Sequence, residues 1–231
     1  MNQALHKTRI WDLPTRLFHW LLVVCVLGAI VTVKLGGNWM QWHLNFGIAT
    51  FALLLFRLVW GLIGPRYARF SSFLPSIKAA WSYLQNTSNN RTHYAGHNPL
   101  GAWSVYAMLL LLLAQASSGL FASDDIMFQG PLSVLVSNDL ASRLTGLHKL
   151  GEWAIFAMIG LHIVAIAIYA LKGHKLVGPM IHGDIFAQDG VERVTAAHDD
   201  WRVRTGALLV AALLGWLAWW LSSAQFGTPL G

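Results

Sequence analysis

Five long, predominantly apolar runs, set apart by stretches carrying charge, glycine and proline, divide the 231-residue chain. They cover about residues 17–33, 44–63, 102–121, 150–171 and 206–221, each close to the roughly 20 residues a helix needs to cross a bilayer's hydrocarbon core. Apolar positions are contiguous within each run and do not alternate. That excludes a membrane barrel and leaves helices, which satisfy their own backbone in lipid. The predicted fold is an all-α integral membrane protein in a single membrane domain over residues 1–231. A four-helix transmembrane bundle is followed by a fifth, C-terminal transmembrane helix. Composition agrees: 55% of residues are hydrophobic, 11% are charged and mean hydropathy is +0.50.

Charge adds a direction. Lys7, Arg9 and Arg16 precede the first run. Arg57, Arg66, Arg69, Lys78 and Arg91 end or follow the second, and Lys172, Lys175, Arg193, Arg202 and Arg204 lie between the fourth and fifth. Only Lys34, Arg143 and Lys149 remain for the other side, so the positive-inside rule puts the N-terminus in the cytoplasm and the C-terminus outside. The net charge of +6 is thus a topology signal and not a nucleic-acid footprint.

The connecting segments read as follows. Residues 1–16 form a cytoplasmic lead in which Asp12 and Pro14 mark a helix start. Gly36, Gly37 and Asn38 make an outer hairpin turn, which sets the first two helices antiparallel. Residues 64–99 carry a short interfacial helix and a loop that includes the polar run Gln85–Arg91. Residues 122–146 form an acidic outer loop with Asp124, Asp125 and Asp139, suited to a basic partner. Residues 172–204 read as a soluble inner loop. The first run is too long for a signal core, no A-x-A-like site follows it, and it is expected to stay in the mature chain. A single cysteine, Cys25, leaves no intramolecular disulfide.

The candidate chemistry rests on four histidines in or beside the apolar runs: His19, His43, His148 and His162. An ionisable ring at membrane depth is costly and marks a functional site by default, and neutral imidazole is a common metal ligand. His148 and His162 stand 14 residues apart in one helix, about 40° short of four full turns and about 21 Å apart along the axis. They therefore share a helix face at different depths. Depth pairs His19 with His162 on the inner side and His43 with His148 on the outer side. A planar macrocycle with axial ligands from two facing helices fits each pair. Zinc fits poorly, because structural zinc sites gather four ligands, often cysteines. Gly47 and Gly151 share helix faces with His43 and His148 and would let a flat ring approach the backbone. Arg16, Arg57 and Lys149, close to helix ends, are candidate partners for haem propionates.

With these residues in hand the chain resembles the bacterial di-haem cytochrome b561 family and the related b-type cytochrome subunits of nickel-iron hydrogenases. The resemblance lies in Trp11-Asp-Leu-Pro-Thr-Arg-Leu-Phe-His19-Trp, in Arg57-Leu-Val-Trp-Gly-Leu-Ile-Gly-Pro-Arg-Tyr-Ala-Arg-Phe70, and in His148-Lys-Leu-Gly-Glu followed by Leu161-His162. It spans about residues 8–185 and leaves out the fifth helix. It implies a four-helix core with two haem b groups in the bacterial cytoplasmic membrane, with axial pairs His19/His162 and His43/His148.

The expected function is electron transfer across that membrane, between the quinone pool or a membrane redox partner and a soluble redox protein such as a c-type cytochrome. Saturated ligation of the iron suits electron transfer better than oxygen chemistry. Two alternatives stand beside it: a superoxide:quinone oxidoreductase, and a membrane anchor subunit of a hydrogenase-like or other redox complex. A metal transporter would need carboxylates or polar residues along a path, and the helices contain almost none apart from Gln115 and Thr or Ser.

Overall fold

The computed structural model describes residues 5–85, 96–123, 128–188 and 195–223. The elements run β1 (Leu5–Arg9), α1 (Leu13–Leu35), α2 (Met40–Ile63), α3 (Ile77–Gln85), α4 (Pro99–Leu120), α5 (Asn138–Leu171), α6 (Val177–His182), β2 (Asp184–Gln188) and α7 (Trp201–Ser223). Five of the helices, α1, α2, α4, α5 and α7, are long and apolar enough to cross a membrane, and the chain is a multi-pass membrane protein. Their aliphatic and aromatic side chains are widely exposed, as lipid-facing surfaces must be.

Local sequence explains the boundaries. The backbone N–H and hydroxyl of Thr15 both donate to the buried Asp12 carboxylate, at 2.9 and 2.8 Å, which caps the N-terminus of α1. Gly36 and Gly37 take φ values of 64° and 53°, a conformation glycine adopts freely, and turn the chain from α1 into α2. Pro65 follows the last residues of α2 and cannot continue it. Asp200 caps α7 by accepting from the backbone N–H of Val203 at 3.0 Å.

The longest helix departs from expectation. α5 starts at Asn138, twelve residues before the apolar run, so its 34 residues extend about 51 Å, well beyond a hydrocarbon core of about 30 Å. Hydropathy marks only the part of a helix that lies in lipid. The added turns are polar and held by their own chemistry, with Ser137 Oγ accepting from the Leu140 N–H and an Arg143–Asp139 pair at 3.1 Å. Residues 138–146 of the expected outer loop are therefore helical. Asp124 and Asp125 lie outside the described residues.

A second departure concerns the lead and the inner loop. Residues 5–9 and 184–188 pair as a two-stranded antiparallel sheet, with Leu5 opposite Gln188 and Arg9 opposite Asp184. The strands are five residues long and lie far apart in the chain, so no local pattern announces them. A short helix in the segment expected to carry the interfacial one is present as α3. It buries no residue, and Ile77, Trp81 and Leu84 form an exposed apolar stripe. The run Gln85–Arg91 lies outside the described residues, Gln85 excepted.

By contacts the chain divides into two units. The first holds Met1–Leu17, Leu58–Met108 and Leu161–Leu208; the second holds Phe18–Arg57, Leu109–Gly160 and Leu209–Gly231. The first is ordered by ion pairs. Arg9 donates to Asp184 and to Asp199 at 2.6 Å each, Arg204 pairs with Asp199 at 3.1 Å, and the backbone N–H of Leu13 donates to Asp199 at 3.1 Å. Buried Ile10, Asp12 and Trp60 lie beneath this network, with the indole N–H of Trp60 donating to Asp12 at 3.1 Å. In the second, Phe18 stacks with Phe56, and the edge of the Phe46 ring fills the space a Cβ on Gly28 would take.

Candidate cofactor site

The second unit brings His43 and His148 together. Their rings lie 6.0 Å apart between centroids at an interplanar angle of 78°. His43 stands in the first turn of α2 and its Nδ1 is 2.9 Å from the carbonyl oxygen of Ala29 on α1. His148, on α5, places Nδ1 2.9 Å from the carbonyl oxygen of Gln115 on α4. A carbonyl can only accept, so in each ring the proton sits on Nδ1 and the lone pair on Nε2. This is the tautomer of a metal-ligating histidine, whose other nitrogen is tied to a backbone carbonyl. Two imidazole nitrogens each about 2 Å from one metal ion would hold the ring centroids about 6 Å apart.

Around the rings lies a cavity of about 270 Å³ with mostly apolar walls, among them Ile48, Leu112 and Ala116. Gly47 lines it, and a Cβ there would meet nothing within 4 Å. Gly119 lines it too, and a Cβ on this residue would lie 2.8 Å from Cε1 of His148, so glycine is what lets the ring take its position. A flat, apolar prosthetic group would fit this lining, with His43 and His148 as the residues that would hold its metal. Among the described residues no group of three or more His, Cys, Asp or Glu converges as a metal site.

The remaining candidates fall out individually. Lys149 lines the same cavity and is exposed. Gly151 is not part of the lining; the space of its absent Cβ is taken by the Gln115 side chain, whose Nε2 donates to the His148 carbonyl at 2.9 Å. Arg57 is buried in the second unit. Arg16, in the first unit, donates to the Ile181 carbonyl at 2.6 Å and lies 3.9 Å from Asp199. His19 is half-buried on α1 in the second unit, edge-on to Trp20, and His162 is half-buried on α5 in the first.

Sequence reasoning gave several groups no place in the site. Gln115 and Ser118 are polar residues inside an apolar run, a signal that marks function by default, and Ser118 Oγ lies 3.4 Å from Nδ1 of His148. Glu152, a carboxylate within α5, pairs with Lys34. His97, between α3 and α4, packs against Phe73 and Trp11, at 4.2 and 4.9 Å between ring centroids. His93 lies outside the described residues.

Titration differs between the carboxylates of the first unit. Burial raises Asp12 above the ordinary carboxylate range, against the hydrogen bonds from Thr15 and Trp60. Burial also pushes Asp184 and Asp199 upward, but there the cations prevail. Lys7 and Arg9 hold Asp184 below the ordinary value, as Arg204, the Leu13 N–H and Arg9 do for Asp199.

Five apolar spans, with an imidazole pair facing a mostly apolar cavity, are what a membrane protein that carries a metal-centred prosthetic group requires. The chain belongs to the prokaryotic cytochrome b561 family, whose profile matches residues 10–183. It is 21% identical over 210 residues to the probable Ni/Fe-hydrogenase 1 B-type cytochrome subunit of Escherichia coli K12, covering 75% of this chain and 88% of the relative. It is 22% identical over 223 residues to the probable Ni/Fe-hydrogenase B-type cytochrome subunit of Rhodobacter capsulatus, covering 79% of this chain and 83% of the relative. No solved structure gives a significant match. Membership of the family makes this a membrane electron-transfer protein with b-type haem.

Proposed function

We propose that the chain holds two haem b groups, one between His43 and His148 and one between His19 and His162. It passes electrons across the bacterial cytoplasmic membrane, with its N-terminus inside and its C-terminus outside. The observation that carries the proposal is the His43–His148 pair, with both Nδ1 atoms tied to backbone carbonyls and both Nε2 atoms left as acceptors beside an apolar cavity. Haem supplies one-electron redox chemistry when bound. The chain supplies the rest. Ala29 and Gln115 fix the ring tautomers, Gly47 and Gly119 give room, and the apolar walls exclude water. Lys149 at this cavity, with Arg16 and Arg57, provides cations for the propionates. The inner pair rests on the 14-residue spacing of His148 and His162 on α5 and on His19 at the opposite end of α1 from the hairpin that leads to His43.

The proposed redox path runs between the quinone pool or a membrane partner and a soluble redox protein such as a c-type cytochrome. The relatives from E. coli and R. capsulatus carry the names of hydrogenase cytochrome subunits, which favours work as a subunit of a redox complex. Haem quantitation with reduced-minus-oxidised spectra tests the proposal. Two haems per chain are expected in the native protein and one in each of the variants His43→Ala, His148→Ala, His19→Ala and His162→Ala. Loss of a haem on substituting His6 or His174, with the four retaining theirs, would overturn it.

A further inference from the structure

A second cavity, of about 660 Å³, opens in the first unit where α2 ends and α7 begins. Three arginines, Arg66, Arg69 and Arg202, border it together with His198, while Trp60 and Val203 contribute apolar wall. Among the described residues none of these arginines enters an ion pair, although Asp184 and Asp199 of the same unit each hold cations of their own. All three are exposed, and no carboxylate lines the cavity. Such a concentration of unneutralised charge is costly without an anion and attracts one. Both flanking helices are membrane spans and these are their ends, so the cavity lies at the level of lipid headgroups. Exposed Ile63, at the last position of α2, adds an apolar lip.

We infer that this cavity binds the phosphate of an anionic phospholipid, the guanidiniums holding the phosphodiester and the apolar wall following the first carbons of the chains. Arginine forks match phosphate oxygens, and basic pockets between spans are suited to such headgroups. Phosphatidylglycerol, phosphatidylcholine and inorganic phosphate separate the possible sources. The full-length, haem-loaded protein is stripped of lipid in detergent and titrated with each, with bound species counted by native mass spectrometry.

Phosphatidylglycerol is expected to bind well above phosphatidylcholine. Removing one guanidinium (Arg202→Gln) should weaken it about fivefold, and the triple variant Arg66→Gln/Arg69→Gln/Arg202→Gln about a hundredfold. Arg143→Gln, at an exposed cation of the second unit, should leave binding unchanged, and the haem spectrum of every variant should match the native one. Equal binding of phosphatidylcholine, or undiminished phosphatidylglycerol binding by the triple variant, would overturn the inference. So would saturation by inorganic phosphate alone at lipid-like concentrations, which would make the ligand a free anion. Loss of haem from the triple variant would also overturn it, by showing that these cations serve the prosthetic group.

Discussion

The ring of His148 sits where it does because Gly119 has no Cβ and because the Gln115 carbonyl holds its Nδ1. Gly119→Ala would set a methyl 2.8 Å from Cε1 and 3.1 Å from Nδ1 of that ring. The imidazole would then have to turn from the place where the Gln115 carbonyl holds it, and its Nε2 would no longer face the cavity it shares with His43. The expected result is loss of the haem that His148→Ala also loses, read as haem per chain, with helix content unchanged by circular dichroism. Gly47→Leu tests the cavity itself, since a side chain there enters open space and competes with the macrocycle. Haem content should fall while the apoprotein folds. Gly151→Ala separates packing from ligation. Its methyl would displace the flexible end of Gln115 and its hydrogen bond to the His148 carbonyl, at a cost of about 1 kcal/mol, with haem retained. A drop in haem as large as that of Gly119→Ala would contradict this. The imidazoles were open to sequence reasoning because a histidine in an apolar run needs a reason. Their partners were not, because a backbone carbonyl has no letter in the sequence and Gly119 matters only through a ring 29 residues further on.

The membrane spans are legible in the sequence because desolvation makes each a run of apolar residues. What lies beyond lipid is not. The polar start of α5 and the β1–β2 pair depend on caps, ion pairs and a partner strand some 180 residues away, and none of these leaves a periodic trace. The β1–β2 pair has a pH signature. Asp184 and Asp199 titrate below the ordinary carboxylate value, so their ion pairs stabilise the β1–β2 region fully above about pH 3.9 and lose that contribution as pH falls through the lowered folded values. Amide hydrogen exchange in β1 and β2 should accelerate over that acidic window, and Asp184→Asn should raise exchange at neutral pH and flatten the acid response. Protection that persists unchanged in acid would exclude the ion pairs as the cause. Asp12 has the opposite sign. Burial raises its folded value, so the charged carboxylate is the disfavoured form, and stability falls as pH rises from the ordinary value through the raised one. Asp12→Asn, which keeps an oxygen to accept from the Thr15 and Trp60 N–H groups, should therefore be tolerated at neutral pH. Asp12→Ala removes the cap and should cost about 1 kcal/mol, seen as a lower Tm in detergent.

Thirteen of the sixteen Lys and Arg residues fall in the N-terminal lead or in segments separated from it by an even number of spans, and the proposed orientation rests on this asymmetry. The local structure gives the assignment a physical partner, since Arg9, Arg16 and Arg204 engage Asp199 in a single folded unit. A segment folded in that way cannot be threaded through a bilayer as separate polar loops. The termini should then lie on opposite sides, with the β1–β2 region in the cytoplasm. Alkaline phosphatase, active only outside, fused after Gly231 should give high activity, and the same reporter fused after Lys175 should give almost none. Green fluorescent protein at the two sites should give the converse pattern. Replacing Lys7, Arg9 and Arg16 with Gln weakens both the charge bias and the ion pairs. It is expected to produce a mixed population in which some chains report from the wrong side, with a corresponding fall in haem per chain. If the reporter after Lys175 were the active one, the inner and outer assignments of both histidine pairs would exchange, whereas the His43–His148 pairing, which rests on geometry within one unit, would stand.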